Sequence, residues 1–310
     1  MATIFLMRRL KVFVAGGGKF AYNWCIYTNH NFENIVVSKS DNKIFQDNKY
    51  IKLNLTKYSE MLILLDQIRP DIVINSAAIT NVDYCEKYPI ECKEINTKVA
   101  LTLADFSNSR KIKFIQISTD HFESGPLDLR NEAVLPLPIN QYGISKIEAD
   151  KVISDCKSNI IIRTNFFGML PKISTNSFTE LCNTLISGRI YPGFSDIQFT
   201  PIATPILVQA ISKLILLDYS GIINIVGDDN ISKFNFAKLV AKAMDLRSAK
   251  VSRITYDSMT IRVPRPKQMG LLNTKLQVIF PDFPGGIQDS IKIALEQSGI
   301  GDTNYGRDFW

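Results

Sequence analysis

The sequence predicts an α/β fold, a doubly wound parallel sheet followed by a smaller C-terminal lobe. Three observations carry this. Short apolar runs recur along the first half, among them Leu10–Ala15 (L-K-V-F-V-A), residues 71–75 (D-I-V-I-N) and Lys113–Ile117 (K-F-I-Q-I). Amphipathic helical patterns separate them, and that alternation builds a parallel sheet. The first run leads directly into Gly16-Gly17-Gly18.

Taken in order, residues 10–15, 34–37, 71–75, 113–117 and 159–163 read as strands. Residues 59–68, 89–107 and 142–155 read as the helices between them. Pro70 just before Asp71 fits a helix that stops before its strand begins. After Arg163 the pattern loosens. Residues 177–186 and 205–217 look helical, 221–226 looks like a strand, and 232–244 is a helix with Ser232 as its N-cap. Pro264, Pro266, Pro281 and Pro284 punctuate the remainder, and the tail from Gly301 to Trp310 is polar apart from two aromatics. The expected division is residues 1–165 and 166–310, with the second part closely packed on the first and able to return elements to it.

Composition narrows the function classes. Hydrophobic residues at 45% and charged residues at 21% describe an ordinary globular chain. The net charge of +6 is scattered, and its nearest approach to a run is Arg8-Arg9-Leu10-Lys11, so no nucleic-acid partner is expected. Five cysteines without a C-x-x-C argue against a disulfide framework and for a reducing, cytoplasmic setting. His30 and His121 are the only histidines and neither has a partner at ligand spacing, which disfavours a metal site and a Ser-His-Asp triad. No apolar run reaches membrane-spanning length. Residues 1–9 run from apolar to basic, the reverse of a signal peptide, and read as a short extension before the first strand.

Two short segments carry chemistry. Ser118-Thr119-Asp120 follows a buried strand, at the carboxyl end where open α/β sheets hold ligands. Some twenty residues on, Tyr142 and Lys146 stand at i and i+4, on one helix face. A phenol titrates near ~10 unperturbed, and a nearby cation lowers that value, tuning it for proton exchange with a carbonyl or alcohol oxygen. Alternatively the two are a surface Tyr–Lys pair.

The glycines match G-x-G-x-x-A through Ala21, with Lys19 and Phe20 between. Gly16 makes the tight turn, Gly18 admits a pyrophosphate, and Ala21 packs helix on strand. At the end of the second strand an Asp or Glu would favour NAD. Ser38-Lys39 stand there instead and suit the 2′-phosphate of NADP, although Asp41 lies slightly later; NAD is the lesser expectation.

With further segments in order, the chain resembles the extended short-chain dehydrogenase/reductases, most closely the dTDP-4-dehydrorhamnose reductase branch. Those segments are the run from Asp71 to Thr80, Val82-Asp83 with Glu86, Glu94-Ile95-Asn96, and Ser118-Thr119-Asp120 with Glu132. The run 138–146 (P-I-N-Q-Y-G-I-S-K), Arg163 to Gly168, Thr200-Pro201, and Arg265-Pro266 with residues 271–275 complete the series. The resemblance implies a Rossmann domain that holds NADPH and a C-terminal lobe that binds substrate. It implies reduction of the 4-keto group of a nucleotide-activated deoxysugar, in deoxysugar biosynthesis for cell-surface polysaccharide. Tyr142 would be the proton donor. Lys146 would contact the nicotinamide ribose and tune the Tyr, and Thr119 would bond the keto oxygen. Ala77, Ala78 and Ile79 would line the adenosine and pyrophosphate side. Val82, Asp83, Asp120 and Phe166 would face the sugar, Val82 and Phe166 being equally readable as packed core.

Three stretches depart from the family pattern. Lys19 and Tyr22 occupy two positions of the usual glycine turn, and Lys19 is long enough to reach a phosphate. His121 to Gly125 lacks the usual aromatic and acidic residues. Asn165-Phe166 replaces a pair that normally offers a Trp to the sugar. Two alternatives stand beside the reductase: a non-catalytic NADP-binding regulatory subunit, like the beta subunit of methionine adenosyltransferase, and an epimerase or dehydratase on the same scaffold. His121 after Asp120 disfavours the dehydratase. A homodimer and a monomer are both compatible with the surface helices.

Overall fold

The structure, a computed structural model, describes residues 8–40, 45, 49–123, 130–156, 158–168, 177–260 and 263–296. Asp41 and the tail from Gly301 lie outside the described residues. β1 (Leu10–Ala15) leads through the glycines into α1 (Lys19–Thr28), and β2 (Phe32–Ser38) follows. β3 (Lys49–Lys52) is a strand the sequence reading lacks. It is an edge strand with both lysines exposed, so K-Y-I-K offers no apolar run. α2 (Tyr58–Ile68) ends at Arg69, whose left-handed φ of 50° turns the chain into Pro70 and β4 (Ile72–Asn75).

The helix expected over 89–107 is resolved into parts. A short α3 (Val82–Lys87) precedes it, then α4 (Pro89–Lys93), a π-helical turn at Glu94–Lys98, and α5 (Val99–Arg110). β5 (Lys113–Ile117), α6 (Gln141–Ile153) and β6 (Ile160–Arg163) follow as expected, within two residues at each end.

Beyond Arg163 come β7 (Phe166–Phe167), α7 (Ser177–Ile186), β8 (Tyr191–Phe194), β9 (Gln198–Phe199), β10 (Ile202–Ala203) and α8 (Thr204–Leu216). β11 (Gly221–Asn224), β12 (Ile231–Ser232), α9 (Lys233–Ala243), β13 (Val251–Ile254), α10 (Thr274–Ile279) and α11 (Ile287–Glu296) complete the chain. Ser232 caps α9, its hydroxyl accepting from the Asn235 N–H at 3.1 Å.

Among the described residues the main sheet runs β11-β6-β5-β4-β1-β2-β3, with every neighbouring pair parallel. Alternate side chains along a strand face opposite ways. Val12 and Val14 of β1 enter one core, and Phe13 and Ala15 the other. β4 and β5 divide likewise, Ile72, Ile74 and Ile115 to the first core and Val73 and Phe114 to the second. An unbroken apolar strand is therefore satisfied only by a layer on each face, which the helices supply. β11 returns from the second half to pair with β6, Gly221 opposite Ile160. Among the described residues no helix is long and apolar enough to cross a membrane.

The chain passes from β1 outward to β2 and β3, then crosses back to β4 on the other side of β1. The carboxyl ends of β1 and β4 therefore open a crevice, the usual ligand position in such sheets. Gly16 turns the chain there. Its N–H bonds the Val37 carbonyl at 2.9 Å, its φ is +99°, and a Cβ on it would stand 2.8 Å from the Ala77 nitrogen. Around Gly18, by contrast, a Cβ meets no protein atom within 4 Å. Gly16→Ala is expected to cost ~1–3 kcal/mol through overpacking and a disfavoured backbone, and Gly18→Ala about 1 kcal/mol or less, as an N-cap change. Urea unfolding of the two variants checks this, and equal midpoints would refute the assignment of the turn to Gly16.

Candidate active site

The site is assembled where β5 ends and α6 begins. The Ser118 N–H bonds the Ile162 carbonyl at 2.7 Å, extending the sheet contact by one residue, and the Thr119 hydroxyl accepts the His121 N–H at 3.1 Å. Asn140 caps α6. Its Oδ1 accepts the Gly143 N–H at 2.9 Å, while Nδ2 donates to His121 Nε2 at 2.9 Å and to the Pro264 carbonyl at 2.8 Å. A Cβ on Gly143 would lie 2.7 Å from the His121 carbonyl oxygen, so the first turn of α6 is pressed against that loop. Tyr142, half-buried on this turn, has its ring edge-on to His121 with centroids 5.3 Å apart, and its hydroxyl lies on the side of Thr119. One turn later Lys146 is buried and donates to the Ile117 carbonyl at 2.7 Å.

The Lys146 ammonium is held on the Ile117 carbonyl, one turn along α6 from the Tyr142 phenol. Burial pushes the phenol well above its ordinary value, Thr119 opposes that, and Asp120 adds to it. Burial also brings Lys146 down to about 8, against the pull of Asp150 and Cys92. Asp150 is buried, accepts from the Ser118 hydroxyl, and is pushed up to about 6 by burial although Lys146 favours its charge. Asp120 is likewise buried and raised to about 6, with Asn165 Nδ2 donating to it at 2.7 Å and Lys233 opposing the rise. His121 is lowered to about 4 by burial and then by Arg265 and Lys233. Its Nε2 takes the Asn140 amide, which leaves the ring proton on Nδ1.

On the glycine side, α1 begins without a side-chain cap and without an acidic residue in its first turn. Its leading N–H groups are thus free of side-chain acceptors from its own cap. Phe20 and Ala21 have their side chains buried in the core. Lys19 turns across the crevice, where Nζ donates to the Phe166 carbonyl at 2.9 Å and lies 4.7 Å from that ring's centroid. Burial lowers this lysine to about 7. Ala77 is buried, and Ala78 and Ile79 are half-buried in the loop after β4. Asn96, on the π-helical turn, clamps that loop. Its Oδ1 accepts the Ile79 N–H at 2.7 Å, and its Nδ2 donates to the Ile79 carbonyl at 3.0 Å.

Ser38 hydrogen-bonds the Tyr50 hydroxyl at 2.9 Å, and Lys39 is exposed beside a cavity of about 620 Å³ lined also by Asn54, Thr56, Tyr88 and Ile95. Val82 is buried in the first turn of α3, and Phe166 is half-buried under Lys19. Asp83 pairs with Arg265 at 2.6 Å, which ties α3 to a segment 182 residues later. Asn96, Asn140, Asp150 and Lys233 are among the contributors for which the sequence reading assigned no role. Only Asn140 carried a usable signal, an Asn two residues before the Tyr at a helix start.

Residues 24–298 match the RmlD substrate binding domain family. The chain belongs to that family. It is 26% identical over 198 residues to a probable low-salt glycan biosynthesis reductase of Haloferax volcanii, an alignment covering 62% of this chain and 66% of that protein. It is 24% identical to a dTDP-4-dehydrorhamnose reductase of Aggregatibacter actinomycetemcomitans, over 78% of this chain and 86% of the relative. The methionine adenosyltransferase 2 subunit beta of Mus musculus is similar too, 22% identical over 78% of this chain and 76% of that protein. Among solved structures, a dTDP-4-dehydrorhamnose reductase from Bacillus anthracis in complex with NADP shares the fold, with a TM-score of 0.82, 21% identity, and coverage of 93% of this chain and 99% of that one.

Asp150 is the carboxylate that favours the charged form of Lys146. Asp150→Asn removes the anion that favours the ammonium, so Lys146 should lose its proton at lower pH than about 8. The alkaline limb of reductase turnover is then expected to move to lower pH, and Asp150→Glu to move it back. A uniform loss of turnover with an unmoved limb would make Asp150 a packing residue only.

Proposed function

We propose that the chain reduces the 4-keto group of a nucleotide-activated deoxysugar with NADPH. The observation that carries this reading is the placement of Tyr142 next to the Ser118–His121 segment at the carboxyl end of β5, its ring edge-on to His121, one turn from Lys146 and beside the crevice. The family and its reductase relatives support the reaction class.

The crevice fits a dinucleotide. Gly16 supplies the left-handed turn, the space around Gly18 is open on the protein side, and α1 presents N–H groups with no acidic residue among them. That is the chemistry of a diphosphate site. Lys19 supports it further, since a cation in a first turn opposes the helix dipole and an anion there offsets that cost. Ser38 and Lys39 at the end of β2 favour the 2′-phosphate, and the Bacillus anthracis structure is a complex with NADP.

When bound, the reduced nicotinamide supplies a hydride. Thr119 and Tyr142 together bond the keto oxygen, where negative charge develops. Tyr142 gives its proton to that oxygen as the carbonyl becomes an alcohol. Lys146 holds the nicotinamide ribose and keeps a positive charge near the phenol as it ionises. Asp120 with Asn165, Phe166, and Asp83 with Arg265 line the sugar side.

Tyr142→Phe is expected to lower turnover ~10²–10⁴-fold, the usual worth of a general acid, with NADPH affinity unchanged. NADPH oxidation in a panel of 4-keto nucleotide sugars reads this, and an undiminished Tyr142→Phe would exclude the mechanism. If no sugar supports oxidation and a stable complex with another enzyme is recovered, the regulatory-subunit reading replaces it. NADPH should also bind more tightly than NADH, and Lys39→Ala should erode that preference while leaving NADH nearly unaffected, because the lysine meets only the extra phosphate. Calorimetry with both nucleotides checks it, and equal affinities in the parent protein would reject the assignment of Lys39.

A further inference from the structure

Two cysteine sulfurs touch directly behind the catalytic helix. Cys85 and Cys92 are seven residues apart, a rise of ~10 Å on one continuous helix. The chain instead breaks at Tyr88 (φ −127°, ψ 63°), between α3 and α4, and brings the two Sγ atoms to 2.7 Å. Both are free thiols and both are buried.

Buried cysteines ordinarily serve as small hydrophobes. The surroundings here are polar. Asn96 Nδ2 donates to Cys92 Sγ at 3.2 Å, and the Ser145 hydroxyl lies 3.4 Å from it. Hydrogen bonding with Cys85, then Ser145, and the charge of Lys146 bring the Cys92 thiol down to about 7 against burial. Cys85 is pushed the other way, chiefly by the contact with Cys92, and donates to the Ile79 carbonyl at 3.5 Å. Cys92 donates to Cys85 across this contact, and two thiol sulfurs in direct contact stand where a disulfide can form. Cys85 sits on α3, a six-residue helix whose Asp83, Tyr84, Glu86 and Lys87 are exposed.

We propose that Cys85 and Cys92 are a redox couple that closes a reversible disulfide in response to hydrogen peroxide and thereby loosens the cofactor-facing loop. The second half rests on the NADPH reading above. The Cys92 thiolate attacks one peroxide oxygen, forming an S–O bond as the O–O bond breaks, and leaves Cys92 as a sulfenic acid with hydroxide released. Cys85 sulfur then attacks Cys92 sulfur, the S–S bond forms, and the sulfenic oxygen departs as water. Two thiols lose two electrons and two protons, and the peroxide becomes two waters. A dithiol reductant reverses the change.

The consequence follows from Asn96. That side chain holds Cys92, the Ser145 hydroxyl at 3.0 Å, and both backbone groups of Ile79. Closing the disulfide shifts the Cys92 sulfur to which Asn96 donates. It therefore disturbs the Ile79 loop.

The test uses the full-length protein treated with hydrogen peroxide near pH 8, then alkylated, digested and weighed. The expected product joins the Cys85 and Cys92 peptides, two hydrogens lighter than the reduced pair, and dithiothreitol restores both thiols. NADPH affinity, read by its fluorescence, should fall several-fold on oxidation, recover on reduction, and resist peroxide in Cys85→Ser. Separately alkylatable thiols, or Cys92 carried to a sulfinic acid without a cross-link, would overturn the couple. A cross-link that leaves NADPH affinity unchanged would overturn its action on the loop. A protein that binds no NADPH in either state would count against the cofactor reading, while the mass measurement still decides the thiol chemistry.

Discussion

A single amide side chain, Asn140, joins three parts of the chain that have no covalent reason to meet. Its carbonyl oxygen caps α6, and its two N–H groups bind the ring of His121 after β5 and the backbone at Pro264. The position of Tyr142 relative to Thr119 depends on that joint, since both residues lie within two positions of a group Asn140 holds. Removing it would forfeit the cap, worth ~0.5–2 kcal/mol, and leave the Pro264 carbonyl and a ring nitrogen without their partner. Gly143 enforces the same geometry from the other side, because any side chain there would collide with the His121 carbonyl.

Beneath this joint lies a set of buried charges: Lys146, Asp150 and Arg163, with Asp120 nearby. Burial works against all of them, lowering the lysine and the arginine and raising both carboxyls. Each is kept ionisable by its neighbours, Lys146 by Asp150 and Asp150 by Lys146 and Ser118. A carboxyl raised from 3.8 to about 6 takes up its proton earlier in the folded chain than in the unfolded one. The stability it costs near neutrality therefore fades as pH falls from about 6 toward 4. Such an arrangement is a poor way to hold a fold together and a good way to hold titrating groups near neutrality.

What the sequence made legible follows from how local the signal is. Strands covered on both faces are written as apolar runs, so β1, β4, β5 and β6 were readable, whereas the exposed edge strand β3 was not. The break at Tyr88 is marked by Pro89, whereas the π-helical turn at Glu94–Lys98 has no compositional mark, and the helix expected over 89–107 runs through it. Tyr142 and Lys146 were readable because one helix face unites them. Arg265 with Asp83, Lys19 with Phe166 and Asn96 with Ile79 were not, because the fold alone brings those partners together. Cys85 and Cys92 looked dispersed for the same reason, since only the bend between α3 and α4 makes them neighbours.

These long-range contacts share a property: most bridge the two walls of the crevice. Lys19 reaches from the glycine turn to the Phe166 carbonyl, Asn165 reaches back to Asp120, and Arg265 reaches to Asp83 on α3. Lys19 is the least settled of them. It stands in the first turn of α1, where the dipole disfavours a cation, and its partners are an uncharged carbonyl and a ring face. An anion arriving at the helix N-terminus would compete for that ammonium and raise its pKa from about 7. The bond that joins the walls would then be exchanged for one to the ligand. In a chain that has Lys and Tyr at two positions of the usual glycine turn, binding on one side of the crevice is thereby linked to the freedom of the other.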